Sequence, residues 1–232
     1  MYDVETITPA ELAGMIDHTF LKPFGGPEPI EKLCAEAREY GFAMVAINPS
    51  EIARCAFLLR GSKVRVGAAI SFPLGQMTSA AKAFEIRDAI DKGAGEIDMV
   101  QNVRALQEGN DALVFAELKD MADVCRARGV ISKVILETCY LTDEQKVRTC
   151  ELAVRAGVDF VKTSTGFGTA GATAADIALM RRTVGPKMGV KAAGGIRTLE
   201  SAFEMIRAGA TRIGTSAGVA IVEELKKLRL NG

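Results

Sequence analysis

The chain has 232 residues, 48% of them apolar and 25% charged, with 29 basic and 29 acidic side chains. That is the composition of a folded globular protein with room for one large domain or two small ones. A formal net charge of zero argues against a nucleic-acid binder, and no apolar stretch approaches the ~18 residues of a membrane span.

In chain order, short apolar runs alternate with longer amphipathic stretches. The start, MYDVETITPAELAG, carries acids where a secretory leader needs a basic end and an apolar centre. MIDHT (15–19) reads as a first strand, followed by the loop PFGGPEP (23–29). AMVAIN (43–48) is a second, and Pro49-Ser50 then opens a helix over EIARCAFLLR. VRVGAAI (64–70), EIDMV (96–100) and SKVILE (132–137) follow. Thr142 with Gln145 forms a capping box before QKVRTCELAVRAG. VDFVKT (158–163) and GVKAA (189–193) come next, Thr198 caps LESAFEMIRAG, and TRIGT (211–215) is the last strand. The strands lack strict polar alternation, as expected where both faces are covered in a parallel sheet. In DKGAGEIDMV, RAGVDFVK and RAGATRIG a glycine closes a helix and the chain turns straight into a strand. Eight such units predict an α/β fold, a (β/α)8 TIM barrel forming a single domain over residues 1–232. A doubly wound sheet is the alternative, but its glycine fingerprint belongs after an early strand. Here the glycine-rich loops follow late ones.

The five cysteines, Cys34, Cys55, Cys125, Cys139 and Cys150, are odd in number and form no CxxC pair. Neither a disulfide framework nor a zinc knuckle is indicated, and a cytoplasmic location is expected. His18 is the only histidine, so a His-rich zinc site cannot be built within this chain, although a carboxylate-held magnesium is not excluded.

In a barrel, chemistry sits at the C-terminal ends of the strands. Those ends carry Asp17, Asn48, Ser71, Asp98, Asn102, Glu137, Lys162, Thr163, Lys191 and Ser216. Lys162 and Lys191 end two consecutive apolar runs, each followed by glycine-rich backbone. An amine nucleophile must be neutral, yet a free lysine titrates near ~10.4. Lowering that by about 3 units takes roughly 4 kcal/mol. A second ammonium about 5 Å away supplies roughly 3 kcal/mol at an effective dielectric near 20. Lys191 is therefore expected to provide most of the shift at Lys162, with Phe160 and Val161 adding desolvation. Solvated strand-end lysines are the plain alternative. Asp98, inside an apolar strand, is either a proton carrier or half of a structural ion pair.

GGIRT (194–198) and GTSAG (214–218) follow the last two strands and lead into helices, the place where many barrels hold a phosphate. Gly194, Gly195, Gly214 and Ser216 are the expected cradle, with Thr163, Thr165 and Gly166 as further donors. Arg197 either aids the anion or pairs on the rim. Asp17 is a candidate to orient a substrate hydroxyl or a water. His18 and Cys139 read as structural and incidental, and Glu137 as a site carboxylate or a partner for a barrel lysine.

The stretches IDHTFLKP, AINPSEI, EIDMVQNV, KVILETCYLT, VDFVKTSTGFGTAGAT, GVKAAGGIRT and RIGTSAGVAIV together resemble the deoxyribose-phosphate aldolases, in order along essentially the whole chain. That family is a class I, Schiff-base group of (β/α)8 barrels. The resemblance implies Lys162 as the Schiff-base lysine, Lys191 as the second lysine and Asp98 as the proton donor and acceptor. It implies Gly194, Gly195 and Ser216 at the phosphate. It further implies cleavage of 2-deoxy-D-ribose 5-phosphate, no metal or organic cofactor, no nucleic-acid or membrane partner, and a homo-oligomer, dimer or tetramer. The chain departs from the family pattern at Ala46, where many relatives have cysteine, and at Ala217, where many have a second serine. It ends KKLRLNG where some relatives carry a terminal tyrosine. Another Schiff-base aldolase or dehydratase, a non-catalytic sugar-phosphate-binding barrel and a barrel isomerase are the rival readings.

Overall fold

A computed structural model describes residues 3–230. The final Asn231 and Gly232, on which part of the tail comparison falls, lie outside the described residues. The strands are β1 (Ile16–Phe20), β2 (Met44–Ile47), β3 (Arg65–Ile70), β4 (Glu96–Val100), β5 (Ile131–Ile135), β6 (Phe160–Lys162), β7 (Gly189–Ala193) and β8 (Arg212–Thr215). All pair in parallel with their chain neighbours, and β8 pairs with β1 to close the barrel. Each predicted strand is present within a few residues of its expected bounds. The largest trimming is in β6, where Val158 and Asp159 belong to the approach rather than to the ladder.

Helices cover the outside, among them Glu28–Tyr40, Ser79–Asp91, Asp111–Ala127, Asp143–Ala156, Leu199–Arg207 and Gly218–Leu230. Strands buried end to end, such as β2 and β4, follow from this double cover: one face meets the helices and the other the barrel interior. The Thr142–Gln145 capping box forms with both of its bonds, and Thr198 caps its helix through the Ser201 amide. Gly157 ends the Asp143–Ala156 helix at φ 78°, a left-handed cap that a side chain would resist.

The interior is not filled by apolar side chains alone. Met44 lies across its floor, and a side chain on Gly67 would run into it, so Gly67 makes the room Met44 occupies. The Met44 sulfur sits 3.6 Å from Lys133 Nζ. Above and around Lys133 the interior is charged, and that charge positions the site.

Candidate active site

Side chains two apart on a strand share a face, so Glu96 and Asp98 both point inward from β4. The register aligns Asp98 with Lys133 on β5 and Lys162 with Lys191 on β7. Lys162 Nζ donates to Asp98 Oδ2 at 2.8 Å, and Lys191 Nζ donates to the same oxygen at 2.7 Å. The two amines therefore lie no farther apart than those two lengths end to end, in keeping with the spacing assumed above. Lys133 takes the other oxygen, Asp98 Oδ1, at 2.8 Å and also pairs with Glu96. Asp17 Oδ2 lies 2.5 Å from Lys191 Nζ, and Arg212 closes the network on Asp17 at 2.6 Å and on Glu96 at 3.4 Å. Lys162 ends the short strand β6, whereas Lys191 and Asp98 are mid-strand.

All seven side chains are buried. Burial lowers the Lys162 pKa to about 8; Lys191 and Lys133 push the same way, while Asp98 opposes them. Burial, not Lys191, is the larger cause, which reverses the expected order. Desolvation is stronger than assumed because the Lys162 side chain is almost wholly buried inside the barrel. Asp98 behaves oppositely. Burial alone would raise its pKa, but Lys133, Lys162 and Lys191 hold it well below the usual carboxylate range.

The aromatic partner of Lys162 also differs from expectation. Phe72, from the turn after β3, places its ring centroid 5.4 Å from Lys162 Nζ. Phe160 instead faces Lys133 and Arg212, at 5.8 and 5.3 Å. Phe160 is two residues before Lys162 and points into the barrel one layer below it.

A cavity of about 180 Å³ runs from the two lysines to the loops after β7 and β8. Lys162, Lys191, Gly194, Gly195, Arg197, Gly214 and Ser216 all border it, together with Thr165 and Gly166. Among the described residues the amides of Gly195 and Ser216 have no protein acceptor, and Arg197 has no carboxylate partner. Such a lining suits an anion at the far end from an amine. Gly194 adopts φ 88° and lies against Gly171; a side chain on Gly171 would strike the Gly194 carbonyl. The Ala172 amide donates to Ala193 and Gly194 carbonyls at 3.1 Å, so the loop after β6 is pinned to the loop after β7.

Not every expected residue faces that cavity. Thr163 spends its hydroxyl between the Ala193 amide and carbonyl, both at 3.1 Å, and ties β6 to β7. Thr165 borders the cavity, but its amide and hydroxyl both go to Glu137. Glu137 is thus the partner of a loop rather than of a barrel lysine. Burial raises its pKa, and the Thr165 hydrogen bonds oppose that. Asp17 is fully buried between Lys191 and Arg212, away from the cavity, so it acts on Lys191 instead of meeting a substrate hydroxyl directly. His18 points outward, its Nε2 donating to Glu36 Oε2 at 2.7 Å while its ring packs on Phe42, as a structural histidine does. Asn48 holds the Leu21 carbonyl, and Asn102 caps the helix Val103–Gln107. Ala217 donates its amide to Thr215. Among the described residues no group of three or more His, Cys, Asp or Glu is placed to hold a metal ion, and no helix is long and apolar enough to cross a membrane.

Lys133, Glu96 and Arg212 were not singled out by the sequence. Their signal is the alternation within strands: Glu96 shares parity with Asp98, and SKVILE and TRIGT each carry one cation in an apolar run.

The family model for DeoC/LacD family aldolases matches residues 13–224. The chain is similar to the deoxyribose-phosphate aldolase of Bacteroides thetaiotaomicron, with 66% identity over 97% of this chain and 95% of the relative. Similarity to the deoxyribose-phosphate aldolase of a Geobacillus strain is 57% identity over 91% of this chain and 95% of the relative. Among solved structures, the tetrameric deoxyribose phosphate aldolase of Aeropyrum pernix superposes with a TM-score of 0.88. It is 33% identical, over 95% of this chain and 93% of that one. A family model over most of the chain and relatives at such identity leave one assignment: this chain belongs to the DeoC/LacD family of aldolases.

Proposed function

We propose that this aldolase reversibly cleaves 2-deoxy-D-ribose 5-phosphate to D-glyceraldehyde 3-phosphate and acetaldehyde, with Lys162 as the Schiff-base amine. The observation that carries the reading is a buried lysine whose pKa is lowered to about 8, opening on a cavity that ends in glycine loops after β7 and β8. The relatives' names supply the substrate class.

Neutral Lys162 attacks the aldehyde carbon, and loss of water gives an iminium. A proton leaves the C3 hydroxyl, the C2–C3 bond breaks, and its electron pair moves to the iminium to give an enamine. Glyceraldehyde 3-phosphate departs. The enamine takes a proton at C2, and water releases acetaldehyde and the free amine. Asp98, ionised and shared by Lys162 and Lys191, is read as passing protons between them and a water, which its contacts with both amines support. Asp17 holds Lys191 from behind. The phosphate is read as resting on Gly194, Gly195, Gly214 and Ser216 with Arg197 at the mouth, which fixes the scissile bond relative to Lys162. Thr165 and Gly166 shape the wall. The barrel is read as one domain over residues 1–232, acting in the cytoplasm. A dimer or tetramer is inferred from the tetrameric Aeropyrum relative.

The test is incubation with 2-deoxyribose 5-phosphate and borohydride, followed by peptide mass spectrometry. A reduced adduct on Lys162 is expected. Ligand binding without an adduct would leave a sugar-phosphate-binding barrel.

A further inference from the structure

The turn after β3 is held in a way the sequence did not announce. Ser71 has φ 58°, a left-handed conformation that a residue with a side chain seldom adopts and that persists only where neighbours enforce it. Its amide donates to Glu85 Oε2 at 2.8 Å, from the helix Ser79–Asp91. On the other side, the Gly75 amide donates to the Ser71 carbonyl at 2.9 Å. A side chain on Gly75 would run into the Gln101 carbonyl, so the turn is pressed against the loop after β4. Between these anchors, directly after Ser71, comes Phe72, whose ring lies over Lys162 Nζ.

Glu85 is a half-buried carboxylate whose hydrogen bond goes to one backbone amide. Its charged neighbours are Lys82 and Asp88 on its own helix. Lys82 is itself committed to Glu117 at 2.7 Å. A carboxylate spent on an otherwise unfavourable turn needs a return elsewhere, and the ring over Lys162 is what the turn delivers.

We propose that Glu85 is a positioning residue of the aldol reaction: its carboxylate fixes the Ser71 turn, the turn seats Phe72 over Lys162, and the ring keeps water from the amine. The inference rests on the Schiff-base reading of Lys162. Glu85 touches neither substrate nor amine and acts only through Phe72. Lys162 also faces Asp98 of β4, Lys191 of β7, Lys133 of β5 and Glu137 after β5, and the substitutions below leave all four in place.

The experiment is reductive trapping of acetaldehyde on Lys162 with cyanoborohydride across pH, read by peptide mass spectrometry, with kcat measured in parallel. Phe72→Ala admits water, so the trapping midpoint moves up by about one pH unit. Phe72→Leu keeps the bulk without the aromatic face, which itself attracts a cation, and its midpoint stays at or below that of the unmodified protein. Glu85→Ala shifts the midpoint as Phe72→Ala does, and Glu85→Gln, whose amide oxygen still accepts from Ser71, restores it. The Glu85→Ala/Phe72→Ala pair goes no further than Phe72→Ala alone, as expected of residues acting as one unit. Should Glu85→Ala fail to fold, Glu85→Asp, with its charge kept but its reach shortened, replaces it. An unmoved midpoint in Phe72→Ala, or additive shifts in the pair, overturns the proposal. Absence of any Lys162 adduct in the unmodified protein sinks the aldolase reading and this inference with it.

Discussion

Two buried lysines in this molecule look alike but sit in different surroundings. Lys82 lies between the helices Ser79–Asp91 and Asp111–Ala127, with Glu117 at 2.7 Å and the Val100 carbonyl at 3.2 Å. Lys162 lies inside the barrel with Asp98 at 2.8 Å. Burial lowers the pKa of both. The difference is in the company each keeps. Among the described residues Glu117 has Lys82 as its one cation, and it takes a further bond from Ser79 at 2.8 Å. Asp98 is divided among three ammoniums. Lys82 also lacks the glycine loops and the anion-suited cavity that Lys162 opens on. A short ion pair and a buried amine are therefore insufficient marks of a nucleophile. Competition for the counter-ion and a route to substrate complete it.

The comparison can be broken most directly at the amines. Lys162→Met is expected to reduce cleavage to background while the protein stays folded. Its thermal midpoint holds or rises, because the native barrel disfavours the charge that the substitution removes. Substantial residual turnover, measured by coupled release of glyceraldehyde 3-phosphate, would falsify the role given to Lys162. Asp98→Asn should lower kcat by roughly 10²–10⁴-fold. Its stability loss should be smaller than that of Lys82→Met, since Lys162 can shed its proton to relieve the unmatched cations. Comparable losses of stability and rate would make Asp98 a structural residue.

Lys82→Met strands Glu117 and should cost about 3 kcal/mol in chemical denaturation. Activity per folded molecule should stay unchanged, and Glu117→Leu in the same chain should recover much of the loss. A fall in kcat would mean that the outer pair reaches the site. The smallest effect is expected for pH. The amine becomes reactive as pH rises through its pKa, so kcat/KM should climb through an acid limb near pH 8, the value to which burial and neighbours bring Lys162. Lys191→Met removes a repelling charge, which raises the Lys162 pKa and moves the limb upward. Because burial is the larger cause, that movement should be less than about one pH unit.

The barrel and the two lysines were legible in the residues because they depend on local signals. Apolar runs of strand length repeat eight times around the fold, and caps such as Thr142–Gln145 and glycine helix ends mark the helices between several of them. Lys162 and Lys191 stood out through the glycine that follows them. What escaped depends on which side chains meet across the barrel. Phe160 is only two residues before Lys162 in sequence, yet Phe72, far earlier in the chain, covers the amine. Thr163 and Thr165 look like free donors in TSTG, but their hydrogen bonds close on Ala193 and Glu137. Lys133 and Arg212 look like ordinary strand cations until the closed register brings them onto Glu96.

The order in which the buried charges occur along the chain has its own consequence. Asp17, Glu96 and Asp98 all precede residue 100, and Lys133, Lys162, Lys191 and Arg212 all follow residue 130. Strands β1–β4 thus contribute an acidic inner wall and β5–β8 a basic one. Neither half can bury its charges alone, and each carries the counter-ions of the other. Closure of the barrel is the mating of two electrostatically opposite half-shells, with Lys162 of β6 reaching across the interior to Asp98 of β4.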